Sequence, residues 1–376
     1  MQEKSVIHVL MLPEFLPRDL GWGSFSWNYI KSASLTCKVT VFHSRINNDT
    51  KGKMIQQEND VDVIRYYANH SKPSGFNKIL EYIKWFVTSL KIMRTDIENV
   101  DIIHAHGTVL SGSLAYFYSR KNNIPFVITE HTGPFSKVIS NPLKKLWTKF
   151  IMEKANAILC VSAHAKEQIL TSGITPRKTE IIFNPIDTTL FQKVEKKMLT
   201  KNMIFVGRFD QNKGALRALI AFHQFNKTNP DWTLTIVGNG KERKQLLQFI
   251  EENDLHQHVI LKGFLSPKLL AEEFNNADFL ISPTLHETFG LVIAEAMACG
   301  LPVITTNKTA PKELVGDDCG ILIDPNNQEA KLVSMVVALN NGKTNELEDL
   351  RFEENNTKND LFEFLFFLND KIKKKI

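Results

Sequence analysis

The stretch "DFLISPTLHETFGLVIAEAMACGLPVITT" (residues 278–306) decides the fold. Its ends, "DFLIS" (278–282) and "PVITT" (302–306), are short, nearly unbroken apolar runs, the mark of strands buried on both faces. Between them, from about 289 to 299, the signals are helical, with Thr288 as the expected N-cap and Gly300 as the stop. Strand, helix and strand in this order imply parallel strands joined by a crossover helix. Two glutamates, Glu287 just before the helix and Glu295 within it, stand out in this otherwise near-apolar stretch. Its first amides lack intrahelical partners and, with the helix dipole, offer a phosphate site. Glu295 lies about two turns inside on the stripe of Thr288, and helical side chains lean toward the N-terminus. Its carboxylate is therefore expected to accept hydrogen bonds from a vicinal diol such as a ribose, with Glu287 at the other end of the same ligand. The plainer alternative is an exposed Glu295 and a Glu287 that only complements the dipole.

The same rhythm runs outward in both directions. "SVIHVLML" (5–12), "KVTVFH" (38–43), "VDVIRY" (61–66), "DIIHAH" (101–106), "PFVITEH" (125–131) and "AILCVS" (157–162) read as strands alternating with amphipathic segments. A lysine-rich polar stretch, "QKVEKKMLTKN" (192–202), interrupts the series. It restarts with "MIFVGR" (203–208), "WTLTIVG" (232–238), "VILKG" (259–263), the two strands quoted first and "GILI" (320–323). Two doubly wound α/β domains follow, over residues 1–185 and 186–343, each expected to bind ligands beyond the carboxyl ends of its strands. A tail over 344–376 carries "LFEFLFFL" in a helix from about 357 to 374, too apolar to be free and expected to dock on the body.

The chain of 376 residues has 46 Lys and Arg against 41 Asp and Glu, a modest net charge of +5. The excess collects in "PLKKLWTKF" (142–150) and "DKIKKKI" at the end. Helices of that kind can lie on an anionic membrane surface, or be solvated faces over a buried apolar stripe. No nucleic-acid motif accompanies them. Cys37, Cys160, Cys299 and Cys319 are scattered without metal-ligand spacing, so a reducing cytosol is expected. The apolar run near the start is too short and early for a signal peptide, and no stretch of ~18 apolar residues occurs. Asp60 and Asp62 in "ENDVDVIRYY" form a carboxylate pair of metal-binding type, but they are expected at a turn far from the phosphate-binding elements.

"VGRFDQNKG" (206–214) places Arg208 and Lys213 in a strand-to-helix loop on the ligand side of the second domain, where two cations neutralise a diphosphate. Together with "IVGNGKERKQL", "LKGFLSPKLLAEEFNNADFLISPTLHETFGLVIAEAMACGLPVI" and "CGILIDP", this half resembles the donor domain of the retaining glycosyltransferases of family 4, and E-x7-E in "ETFGLVIAE" is the most specific element. The first half, with "GWGSFSWNYI", "DIIHAHG", "VITEH" and "CVSAHAKEQI", is similar to the family's acceptor domain.

The resemblance implies two Rossmann-like domains facing across a cleft, the GT-B type, and transfer of a sugar with retention from a nucleoside-diphosphate sugar, a UDP-sugar first, to a glycan or lipid-linked glycan of a bacterial surface polysaccharide. It implies donor-diphosphate contacts from Arg208, Lys213 and the amides of Phe289, Gly290 and Leu291. Ribose contacts fall to Glu295, sugar contacts to Glu287, proximity to the base to Gly263 and Phe264, and close approach to the diphosphate to Gly23. His131 would face the donor sugar as a catalytic residue beside Glu287, His106 would touch acceptor, and His104 would be structural. Trp22 and Thr309–Ala310 stand where the family often has glycines. No cofactor or metal is expected, and the protein should be cytoplasmic, with its basic helices able to rest on the inner face of the cell membrane. A nucleotide-sugar epimerase on the same plan is the alternative, a silent binding protein a further one.

Overall fold

The computed structural model describes residues 6–16, 24–47, 52–58, 61–69, 76–195, 200–316 and 319–324. Trp22, Gly23, Asp60 and the expected C-terminal helix lie outside the described residues. Two compact units meet in sequence between Pro185 and Ile186.

The first unit contains β1 (His8–Pro13), α1 (Ser24–Ser34), β2 (Lys38–Asn47), β3 (Gly52–Glu58), β4 (Val61–Asn69), α2 (Phe76–Asp96), β5 (Ile102–His106), α3 (Ser113–Asn122), β6 (Phe126–Glu130), α4 (Pro142–Lys154), β7 (Ala157–Cys160), α5 (Ala163–Thr171) and β8 (Thr179–Ile181). Its sheet has the order β3-β4-β2-β1-β5-β6-β7-β8, parallel except for the β3–β4 pair. The apolar runs are continuous because both faces are covered. Leu10, Leu12, Ile103, Ile128 and Ile158 pack with Trp85 and Met93 of α2, Leu114 and Tyr118 of α3, and Ile151 and Met152 of α4. Their chain neighbours Val9, Met11, Ile102, Val127 and Leu159 point the other way, onto Tyr29 and Ile30 of α1. Two strands escape the apolar pattern. β3, "GKMIQQE", is exposed through its middle residues, and β8 is three half-exposed residues, so neither needs a buried run.

The second unit contains β9 (Asn202–Val206), α6 (Ala215–Asn226), β10 (Thr233–Val237), α7 (Arg243–Glu252), β11 (Val259–Lys262), α8 (Pro267–Asn276), β12 (Phe279–Ser282), α9 (Leu291–Ala298), β13 (Val303–Thr306), α10 (Pro311–Leu314) and β14 (Gly320–Ile323). Its sheet is wholly parallel in the order β11-β10-β9-β12-β13-β14. α6 shows how the helices attach: Ala215, Ala218, Leu219, Phe222 and Phe225, spaced three and four apart, are all buried against it. The strand order reverses between β9 and β12 here and between β1 and β5 in the first unit. At such points the connecting loops part and leave room for a ligand.

The decisive helix is α9, and it is shorter than its sequence suggests. Thr288 does not cap it; Gly290 does, at φ 102, a left-handed conformation that a side chain would strain. At the other end Gly300, at φ 69, donates to Met297 O (2.8 Å) and Leu301 N to Ala296 O (3.0 Å). This paired closure satisfies two of the last helical carbonyls and stops the helix where the glycine had signalled.

Candidate functional site

At the reversal point of the second sheet, the loops after β9, β12 and β13 are tied into one surface. Asp210 Oδ1 accepts from Lys213 N (2.9 Å), folding the first loop back on itself. Asn212 joins that loop to the next: its side chain donates to His286 O (2.9 Å) and its carbonyl accepts from Leu285 N (2.8 Å). Glu287 N in turn donates to Thr309 Oγ1 (3.0 Å) from the third loop. Thr309 sits at φ 58, a costly conformation for a β-branched residue, and its hydroxyl holds the Glu287 backbone. Sequence flags this position only as a departure from glycine; the hydroxyl contact gives the departure a structural role.

The charges on this surface are paired. Lys213 Nζ forms an ion pair with Glu287, and Arg208 Nε lies 3.0 Å from Asp210 Oδ2, with the Arg208 side chain half exposed. The two cations expected to meet a diphosphate thus hold carboxylates in this state, and an arriving anion would compete for them. Beside them α9 begins: Phe289 and Gly290 are buried and Leu291 is half-buried, so any phosphate arriving there would meet backbone amides. Glu295 is only 6% exposed, and its carboxyl accepts no hydrogen bond among the described residues. Burial alone pushes its pKa up to about 8. Sequence alone suggests a charged carboxylate at Glu295; burial here favours its protonated form. Gly263 and Phe264 follow β11, two strands from β9, roughly 10 Å away by strand spacing, and Phe264 is exposed.

The first unit answers with histidines. His104 and His106 lie on β5, and His131 follows β6, its neighbour. His106 Nδ1 is 3.0 Å from His131 Nε2, and the two rings are parallel within 6°. His104 Nε2 reaches Thr129 Oγ1 at 2.7 Å, as expected of a structural histidine. Phe25 packs on His131 with centroids 4.4 Å apart, and Tyr29 on His106 at 4.9 Å. Burial holds His104 and His131 down at about 3 and His106 well below its ordinary value, so all three are neutral rings. His106, expected on the acceptor side, is 1% exposed and lies against His131. In a neutral pair at hydrogen-bond distance one ring donates and the other accepts, so the tautomers of His106 and His131 are linked.

Glu130 braces the same strand ends, Oε2 accepting from Thr108 N (3.1 Å) and Oγ1 (2.7 Å) and Oε1 from Thr132 N (2.9 Å). Glu14, after β1, is raised to about 7 by burial and by Glu130. Asp210, Asn212, Thr309 and Glu130 went unnoticed as site-building residues. Beyond the departure from glycine at Thr309, Asp210 had a local signal, an Asp three positions before Lys213 in a turn. Asp62 belongs to strand β4 instead of a turn, beside Thr40 near the amino ends of the first sheet and away from the carboxyl ends where ligands bind.

Two family models match the sequence: Glycosyltransferase Family 4 over residues 31–190 and Glycosyl transferases group 1 over 187–358. The uncharacterized glycosyltransferase MJ1178 of Methanocaldococcus jannaschii is 28% identical over 263 residues, covering 69% of this chain and 72% of that protein. The N-acetylgalactosamine-N,N'-diacetylbacillosaminyl-diphospho-undecaprenol 4-alpha-N-acetylgalactosaminyltransferase of Campylobacter jejuni is 29% identical over 296 residues, 74% of this chain and 78% of that one. Among solved structures, sucrose-phosphate synthase from Thermosynechococcus elongatus superposes with a TM-score of 0.76 at 20% identity, over 98% of both chains. Anabaena Alr3699/HepE in complex with UDP and glucose gives 0.71 at 18%, over 96% of this chain and 99% of that one. With two Rossmann-like units, a reversal-point surface in each and both family models matched in series from residue 31 to 358, the chain belongs to the GT-B glycosyltransferases of family 4.

Proposed function

We propose that this glycosyltransferase takes its sugar from a nucleoside-diphosphate sugar, a UDP-sugar first, and transfers it with retention to a saccharide carried on a polyprenyl diphosphate for a bacterial surface polysaccharide. The observation that carries the donor side is the union, at one reversal point, of Arg208, Lys213, Glu287, the α9 amides and the buried Glu295. The diphosphate meets Arg208, Lys213 and the amides of Phe289–Leu291 in place of the present carboxylate partners. Glu295 binds the ribose diol, Glu287 the hydroxyls of the transferred sugar, and the base lies toward Gly263 and Phe264. The Campylobacter relative, named for a diphospho-undecaprenol substrate, supports the acceptor class, and the UDP in the HepE complex supports the donor.

In the proposed reaction the bond from the anomeric carbon to the diphosphate breaks, the acceptor oxygen bonds to the same face, and its proton passes to the leaving diphosphate. Charge stabilisation by the cations and amides supplies the catalysis, with no divalent metal or other cofactor. His131 is the catalytic side chain of the first unit, aimed by His106, and Gly23 is assigned to the donor diphosphate. The protein works in the cytoplasm, resting through its basic helices on the inner face of the membrane. Incubation with UDP-, GDP- and ADP-sugars and a polyprenyl-diphosphate saccharide, with the product's anomeric configuration read by NMR, tests the reading. An axial product from an axial donor is expected. Inversion, or transfer from no nucleotide sugar, overturns it.

A further inference from the structure

α4 is apolar on two sides. Its inner side buries Thr148, Ile151 and Met152 in the core of the first unit. On the opposite side, at spacings of three, one and three, Leu143, Leu146, Trp147 and Phe150 face solvent, with Leu143 80% and Leu146 65% exposed. A surface helix with one apolar stripe docks and is finished; this one keeps a second stripe uncovered among the described residues. The stripe continues across neighbouring helices of the same layer. Phe117 of α3 stacks on Trp147 at 6.4 Å and meets Phe86 of α2 at 5.5 Å, and α2 adds the exposed Ile83 and Val87 one turn apart. Three helices that share a core on their inner side thus share an apolar, aromatic face on their outer side. Contiguous faces of this kind mark interaction surfaces.

The charge around the face selects its occupant. α2, α3 and α4 together carry ten Lys and Arg against three Asp and Glu. Of those three, Asp96 is bound to Lys53 and Glu153 to Lys149 and Thr175. Lys144 and Lys145 interleave with the apolar positions of α4, where their stems can lie along the face and their ammonium groups reach past it, while Lys149 is held by Glu153 and Gly173 O. Trp147 Nε1 donates to Ser113 Oγ (2.9 Å), so its ring can leave water with no unsatisfied donor.

We infer that the α2–α3–α4 face of the first unit docks on an anionic lipid surface, inserting the stripe of Leu143, Leu146, Trp147 and Phe150 among the headgroups. This deepens the membrane location proposed above, which rested on basic charge alone, by making the apolar stripe the anchor and the lysines its rim. An amphipathic face held this way needs both contributions.

The test is flotation of the full chain with vesicles of phosphatidylcholine containing phosphatidylglycerol, and with phosphatidylcholine alone. The expected result is binding to the anionic vesicles that weakens with salt but persists in part at high salt. Leu143→Asp with Leu146→Asp, both at exposed positions, should cut binding at least tenfold at every salt concentration; Lys144→Glu with Lys145→Glu should cut it mainly at low salt. The thermal shift given by UDP should be the same in all three proteins, which separates this inference from the donor assignment. Vesicle binding by the Asp variant equal to the parent's overturns the apolar anchor. Absence of binding by the parent at low salt overturns the inference altogether, and a parent dimer that the Asp variant dissolves assigns the face to self-association instead.

Discussion

The two sheets are wound alike, yet their reversal points are furnished with opposite chemistry. The first unit presents three neutral histidines stacked behind one another, their protons suppressed by burial. The second presents paired ions over a buried carboxyl whose proton is retained by the same burial. Desolvation acts in both places and disfavours charge in both; it strips the proton from a base and keeps it on an acid. The same desolvation therefore leaves the first unit with uncharged hydrogen-bonding rings and the second with ion pairs beside a carboxyl whose neutral form is favoured.

The contrast can be broken most forcefully at Lys213. If the second unit holds a developing diphosphate charge, Lys213→Ala should lower turnover by about 10²–10³-fold, the scale for losing one such contact. By calorimetry it should weaken UDP far more than uridine; equal losses would make Lys213 a partner of Glu287 and nothing more.

Opposite protonation also predicts opposite pH responses within one chain. Histidines held near 3 when folded must bind protons on unfolding, so the first unit loses stability as pH falls from 6.5 toward 3. Glu14, raised to about 7, opposes this above pH 4.5, while His8, also lowered by burial, adds to it. Glu295 must release its proton on unfolding, so the second unit loses stability as pH rises from 4.5 to about 8. Each fully shifted group contributes up to ~1.4 kcal/mol per pH unit. Hydrogen exchange resolved by unit should show slopes of opposite sign, with Glu295→Gln flattening only the second. Parallel slopes would refute the contrast.

A smaller effect sharpens the role of Glu295. Because burial favours the protonated carboxyl, Glu295→Gln replaces one neutral partner by another and should cost nucleotide binding about 0.5–1.5 kcal/mol near pH 6. Above pH 8 the parent is ionised, and the gap should widen toward the ~1.5–3 kcal/mol of bonds to charged groups. A gap that stays constant from pH 6 to 9 would remove the diol from this residue. The smallest expected effect is none at all: excess EDTA, and Asp62→Ala at the opposite end of the first sheet, should leave turnover unchanged, and loss restored by manganese would place a metal in the site.

Sequence by itself carried the architecture, because burial repeats along the chain: continuous apolar runs for strands covered on both faces, three-and-four spacing for α6, glycine at the close of α9. β3 and β8 escaped because an edge strand can be polar, and Thr288 misled because a side-chain cap and a left-handed glycine cap leave similar traces. The site residues Arg208, Lys213, Glu287 and Glu295 were legible as types at a spacing. Only the tertiary structure decided what each of them meets: Lys213 against Glu287 across 74 positions, His106 behind His131 across 25, the Glu287 amide on Thr309 across 22. It alone decided that Glu295 is buried and that the outer stripe of α4 is uncovered among the described residues. Periodicity is a property of neighbours along the chain, whereas desolvation and exposure are set by every atom that folding brings near, and those atoms come from segments far apart in sequence.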